Sequence, residues 1–171
     1  MSAARRTWGW HPLVDEWAAR VVADSGVRPG ELVVDAGAGT GALTRHLIAA
    51  GARVLAVELH PIRARSLRDR FAGAPVTVVQ ADILEIRWPA RPFRVVASPP
   101  FGITSPLLRL LLRPGSRLHA ADLVLQRAVV RRYATRPDRH WSIRTGRPLP
   151  RGAFDPPPQV DSAVLVVRRR A

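Results

Sequence analysis

Cysteine, lysine and asparagine are absent from the 171 residues of this chain, which has one tyrosine and one methionine. Without cysteine it can form no disulfide and no thiolate metal site. The five histidines, His11, His46, His60, His119 and His140, are scattered without ligand spacing, so no metal is expected. No apolar stretch is long enough to cross a membrane, and residues 1–6 lead into no signal-peptide core. A cytoplasmic protein without a membrane partner is expected. Because lysine is missing, all 27 basic residues are arginine, and against 13 acidic residues they leave a net charge of +14. Arginine grips phosphate through a planar fork, and a summed positive potential accelerates encounter with nucleic acid, so this excess points to a polyanion. The length fits a single compact domain with a full core.

Apolar runs and turn signals alternate along the chain. Leu13, Trp17 and Val21 recur at helical spacing over 13–23, and Arg28-Pro29-Gly30 reads as a turn. Strands are expected at 31–36, 53–57, 76–79, 93–97 and 121–125. Helices are expected at 41–50, closed by Gly51, from Pro61 onward with exposed arginines at 63, 65, 68 and 70, at 104–112 and at 127–135. Two last strand-like runs, 148–154 and 163–168, are joined by Asp155-Pro156-Pro157-Pro158. Alternating strands and helices with a terminal strand pair indicate an α/β fold of Rossmann-like type, with a mostly parallel seven-stranded sheet and a C-terminal antiparallel pair.

In such sheets ligands bind beyond the carboxyl ends of the strands. Every notable polar feature falls at such an end: Asp35 with Gly37, Gly39 and Gly41, then Glu58, Asp82 and Ser98. The glycines allow close backbone approach. Glu58 is placed to accept both hydroxyls of a ribose, and Asp82 to accept from an adenine amino group. Ser98-Pro99-Pro100-Phe101 supplies two rigid prolines, free flanking carbonyls and a ring face. Ser98 and the Pro99 carbonyl can accept from a planar amine while a base stacks on Phe101. Gly37-x-Gly39-x-x-Ala42 also satisfies the dinucleotide fingerprint. A nicotinamide would leave the Ser-Pro-Pro-Phe element without a role, and Asp35 suits the ammonium of S-adenosylmethionine better than a pyrophosphate.

Asp35-Ala-Gly-Ala-Gly-Thr-Gly-Ala-Leu-Thr44, Val57-Glu58, Gln80-Ala-Asp-Ile83, Ser98-Pro-Pro-Phe101, Leu125-Gln126-Arg127 and Phe154-x-Pro-x-Pro-x-Val-Asp-Ser162 occur in this order. In this the chain resembles the 23S rRNA adenine-N6 methyltransferases called Erm and their small-subunit rRNA dimethyltransferase relatives. Trp8-Gly9-Trp10-His11 and the ending Ala163-Val-Leu-Val-Val-Arg-Arg-Arg170 are similar to the short mycobacterial or actinobacterial type. The resemblance implies methyl transfer from S-adenosylmethionine to an adenine of the peptidyl-transferase loop of 23S rRNA. Its usual consequence is resistance to macrolides, lincosamides and streptogramin B. It implies cofactor contacts at His11, Leu13, Gly37, Gly39, Glu58, Asp82, Ile83 and Ser98.

Three departures stand out. Ser98 replaces the family's asparagine, with a shorter side chain and fewer hydrogen bonds. The family's Gly-Gln-Asn-Phe-Leu is here Gly9-Trp10-His11-Pro12-Leu13. Typical members continue into a small helical domain, whereas a single domain over 1–171 is expected here, with 1–30 as N-terminal arm and helix. RNA engagement is then expected on the catalytic domain of a monomer, first through Arg5, Arg6, Arg131 and Arg132. The helix bearing Arg63, Arg65, Arg68 and Arg70 and the tail Arg168, Arg169 and Arg170 are further candidates. Two alternatives remain open: an rRNA-binding protein with little turnover, and an N-methyltransferase acting on DNA adenine or a glutamine amide.

Overall fold

The computed structural model describes residues 10–171. Arg5, Arg6, Trp8 and Gly9 lie outside the described residues. In chain order the elements are α1 (Asp15–Ser25), β1 (Leu32–Ala36), α2 (Ala42–Ala49), β2 (Arg53–Glu58), α3 (Pro61–Arg70), β3 (Val76–Gln80) and β4 (Phe93–Ala97). A 3-10 turn over Phe101–Ile103 leads into α4 (Thr104–Leu112), followed by β5 (Leu118–Gln126), α5 (Arg127–Ala134), β6 (Trp141–Leu149) and β7 (Ser162–Arg169). The seven strands lie in the order β3-β2-β1-β4-β5-β7-β6, and β7 runs antiparallel to both of its neighbours. The expected fold class is therefore observed.

Strand parity builds two cores. Val33, Val54, Ala56, Val96, Val124 and Val164 face one side, where α1, α2 and Leu67 of α3 cover them. Val34, Val57, Val95, Leu123, Leu125 and Leu165 face the other, under Leu107, Leu108 and Leu111 of α4 and Val130 of α5. A sheet covered on both faces needs apolar residues at every position, which is why these strands read as continuous runs rather than alternations. Local stops match their chemistry: Gly26 and Gly51 take left-handed φ after α1 and α2, and Pro61 opens α3 where no N–H donor is needed.

The second-last strand departs from the expectation at 148–154. β6 spans Trp141–Leu149, and residues beyond it turn through a 3-10 segment at Arg151–Ala153. Gly146 and Pro148 disguise this strand. The pairing register with β7 shifts between Thr145 and Pro148, and β6 is the sheet edge, where a proline is tolerated.

At the amino ends of the strands lies a buried ion network. Arg94 Nε donates to Glu31 Oε1 at 2.9 Å, and Arg94 Nη1 to the Ser25 carbonyl at 2.7 Å. Arg168 Nη2 donates to Asp122 Oδ1 at 3.1 Å, and its Nη1 to the Ala121 carbonyl at 3.1 Å. Burial pushes the Asp122 carboxyl up, opposed by Arg168 and Arg94. Arg169 binds the Leu118 and Ser116 carbonyls and stacks on Trp141, while Arg170 binds the Trp141 carbonyl. The tail arginines are thus engaged in the fold, at the end of the sheet remote from the Ser-Pro-Pro-Phe element.

Candidate active site

Asp35 shares the strand parity of Val33 and therefore points toward α1 and α2. It is buried, and its Oδ2 accepts a hydrogen bond from Thr44 Oγ1 of α2 at 2.7 Å. Oδ1 is equally buried, with no hydrogen-bond partner among the described residues. Burial pushes the Asp35 carboxyl up to about 7; the Thr44 hydrogen bond resists this and the Glu58 carboxylate adds to it. An orphan oxygen on a buried carboxyl fits a cationic donor, which would supply both the missing hydrogen bond and the countercharge.

The glycine loop begins two residues later. Gly37, Gly39 and Gly41 have φ of 81°, 58° and 89°. This conformation turns the amides of Gly37 and Ala38 onto the Val57 carbonyl, each at 2.9 Å, and ties the ends of β1 and β2 together. A Cβ on Gly37 would lie 3.3 Å from Pro100 Cδ and 3.7 Å from Pro99 Cα. One on Gly39 would meet Trp10 Nε1 at 3.2 Å. The glycine loop and the Ser-Pro-Pro-Phe element are therefore in direct apposition, although more than fifty residues separate them in the chain.

Glu58 ends β2 with the parity of Val54 and Ala56, and its buried side chain lies with Oε1 3.4 Å from Arg63 Nε. Asp82 follows β3. Its Oδ1 accepts the Leu84 amide at 2.9 Å, closing a turn, and its Oδ2 has no hydrogen bond from the described residues. Ile83 is a buried side chain of the core that also holds Val57 and Ala97, which leaves its main chain the better placed for a ligand contact. Leu13 is likewise a core side chain, packed with Ala38, Val96 and Phe154.

Ser98 is half-buried and Pro99 buried at the end of β4. The next two carbonyls are engaged: Pro100 accepts the Ile103 amide at 3.2 Å, and Phe101 accepts Thr104 Oγ1 at 3.0 Å. Among the described residues, nothing donates to Ser98 Oγ or the Pro99 carbonyl. The half-buried Phe101 ring lies 6.1 Å from the His11 ring, tilted by 31°. His11 is fixed in turn by its Nδ1, which donates to the Pro156 carbonyl at 2.9 Å. Leu13 bridges Phe154 in antiparallel fashion, Val14 N donates to the Ala153 carbonyl at 2.9 Å, and Asp155 N donates to the Pro12 carbonyl at 3.0 Å. The Phe154-x-Pro156-x-Pro158 motif thus braces the arm that carries His11 against Phe101.

Arginine placement is selective. On α3, Arg63 contacts Glu58, Arg70 donates to the Thr40 carbonyl at 3.0 Å, and Arg68 approaches the Val78 carbonyl at 3.5 Å. Only Arg65 of the four is without such a contact among the described residues. Arg131 and Arg132 are exposed on α5, which starts at the carboxyl end of β5, beside β4. Arg132 and Arg136 both approach the Tyr133 ring, at 5.7 and 5.4 Å. The sequence assigned Thr44, Trp10 and Arg63 no individual part in the site. Thr44 was visible only as the last residue of the glycine motif.

A family model described as ribosomal RNA adenine dimethylase matches residues 1–171. The mycinamicin-resistance protein MyrB of Micromonospora griseorubida is 40% identical over 98% of this chain and 56% of its own length. An rRNA adenine N-6-methyltransferase of Saccharopolyspora erythraea is 35% identical over 98% of this chain and 47% of its own. The crystal structure of the 23S rRNA methyltransferase ErmE is 34% identical and superimposes with a TM-score of 0.83, over 93% of this chain and 70% of that one. The chain spans about half the length of the two curated relatives.

Proposed function

This chain belongs to the ribosomal RNA adenine dimethylase family, and from that premise we propose that it methylates N6 of an adenine in the peptidyl-transferase loop of 23S rRNA. S-adenosylmethionine is the proposed donor, and resistance to macrolides, lincosamides and streptogramin B the proposed consequence. The observation that supports this most is the apposition of Gly37 to Pro99 and Pro100, which would set a cofactor cradle against an amine-binding element. MyrB and ErmE, by their names, supply the resistance and the 23S target.

The donor supplies an electrophilic methyl on a sulfonium. The orphan Asp35 Oδ1 would take the ammonium, Glu58 the ribose hydroxyls, and Asp82 Oδ2 the adenine amino group. These residues fit that ligand in charge, and Asp35 Oδ1 and Asp82 Oδ2 are acceptors without a partner among the described residues. Phe101 stacks the extruded target adenine, while Ser98 Oγ and the Pro99 carbonyl accept its two N6 hydrogens. Accepting both hydrogens holds the nitrogen in line with the methyl and raises its electron density. Positioning of this kind is worth up to about 7–11 kcal/mol. No strong base is needed, because N6 becomes acidic as the new bond forms and water can take the proton. Arg131 and Arg132 would hold the phosphates of the approaching RNA. We take the working unit to be a single copy of the chain acting in the cytoplasm. No helix among the described residues is long and apolar enough to cross a membrane.

Expression in a macrolide-sensitive bacterium tests this reading. Mass spectrometry of 23S rRNA fragments should show methyl groups on an adenine of the peptidyl-transferase loop, with resistance appearing alongside. Unmodified rRNA in cells containing the soluble protein would refute it.

A further inference from the structure

Glu58 is covered from outside. Its side chain is only 8% exposed, with Arg63 Nε 3.4 Å from Oε1. The Arg63 guanidinium stacks on the Trp10 indole, its Cζ 4.4 Å from the ring centroid. The indole reaches Gly39, with Nε1 3.2 Å from the point where a Cβ would stand. Arg63 and Trp10 therefore make a strap from the end of β2 to the glycine loop after β1. These are the two strand ends that a nucleoside with an amino-acid tail must bridge between Glu58 and Asp35.

Two ribose hydroxyls need separate, well-aligned approaches to a carboxylate, and a side chain this buried leaves no room for them. A buried ionised carboxylate also needs a partner when no ligand is bound, and Arg63 is that partner. We propose that Arg63 and Trp10 form a latch that holds Glu58 in the cofactor-free protein and swings away as ribose takes the place of the guanidinium. This rests on the reading that Glu58 binds a ribose. The movement belongs to the side chains, because α3 itself is anchored. Arg70 ties it to the Thr40 carbonyl at 3.0 Å, and Leu67 and Phe71 fill the space above Gly41, within 2.9 Å of where a Cβ would stand.

The latch competes with the cofactor, so removing it should help binding. In a largely buried ion pair the desolvation cost offsets most of the attraction, and a cation–π stack is modest, so together they set an expected gain of about three- to tenfold. The test is stopped-flow binding of S-adenosylhomocysteine, read by tryptophan fluorescence and checked by calorimetry. Arg63→Ala and Arg63→Met, which keeps the apolar stem, should both bind faster and about three- to tenfold tighter than the natural chain. The fast fluorescence change should disappear in Trp10→Phe while binding persists by calorimetry. If the natural chain binds and both Arg63 variants bind equally or more weakly, the latch is wrong and the cofactor reading stands. If neither the natural chain nor either variant binds, the ribose reading fails and takes the latch with it.

Discussion

Binding of a cationic amine beside Asp35 should expel a proton, and the amount follows from the burial of that one carboxyl. With its pKa raised to about 7, about half of the cofactor-free molecules carry the Asp35 proton at pH 7, roughly nine in ten at pH 6 and roughly one in ten at pH 8. An ammonium against Oδ1 favours the ionised form and returns the group toward its ordinary value of 3.8. Binding at pH 7 should therefore release about half a proton, and affinity should rise about tenfold between pH 6 and pH 8. Stability moves the other way. The folded-state pKa lies above the unfolded one, so the protonated carboxyl's contribution is full below about pH 4 and is lost as pH climbs to 7. Asp35→Asn keeps an acceptor for Thr44 Oγ1 and cannot ionise. It should raise the Tm of the cofactor-free protein at pH 8, weaken S-adenosylhomocysteine binding and abolish the proton release. Calorimetry in two buffers of different ionisation enthalpy measures the proton count. A count near zero at pH 7, or the same count in Asp35→Asn, would refute the placement of the ammonium on Asp35.

Four further outcomes are expected. Ser98→Ala should slow methyl transfer while leaving calorimetric cofactor affinity nearly intact, and Ser98→Asn should preserve or raise the rate; an unchanged rate in the alanine variant would leave positioning to the Pro99 carbonyl alone. Base stacking is worth about 1–3 kcal/mol, so Phe101→Ala should cut transfer by roughly ten- to a hundredfold in a radiolabel assay while Phe101→Trp retains much of it. Arg131→Ala and Arg132→Ala should each lower the slope of log affinity against log salt by about one. By contrast, Arg168→Ala should leave that slope alone and lower unfolding stability by about 2 kcal/mol, because it takes the hydrogen bond from the buried Asp122 and leaves it only Arg94, 3.7 Å from Oδ2.

Legibility in the sequence depended on whether a residue's role was local. Five buried strands announced themselves as apolar runs, and the carboxylates and glycines at their ends were placed by the strands that carry them. β6 was hidden because Gly146 and Pro148 are poor strand formers whose presence depends on an edge position and a register shift. The proline-rich motif near residue 156 could be read as a join between strands. Its other task, clamping His11 and Leu13, needs contacts across about 140 residues of chain. Arginine was the least legible type. Composition spoke for a polyanion, yet Arg94, Arg168, Arg169 and Arg170 bind carboxylates and carbonyls within the fold, and Arg63 covers Glu58. Nothing local distinguishes these from Arg131 and Arg132, which remain exposed.

In the proposed reaction this site moves a methyl group to N6 of an adenine. The most direct test incubates the purified chain with a 23S rRNA fragment spanning the peptidyl-transferase loop and methyl-labelled S-adenosylmethionine, then digests the RNA to nucleosides. The label is expected in N6-methylated adenosine, and its appearance should be slowed in Ser98→Ala and Phe101→Ala. Label on any other nucleoside, or none in RNA from a protein shown by calorimetry to bind the cofactor, would contradict the account.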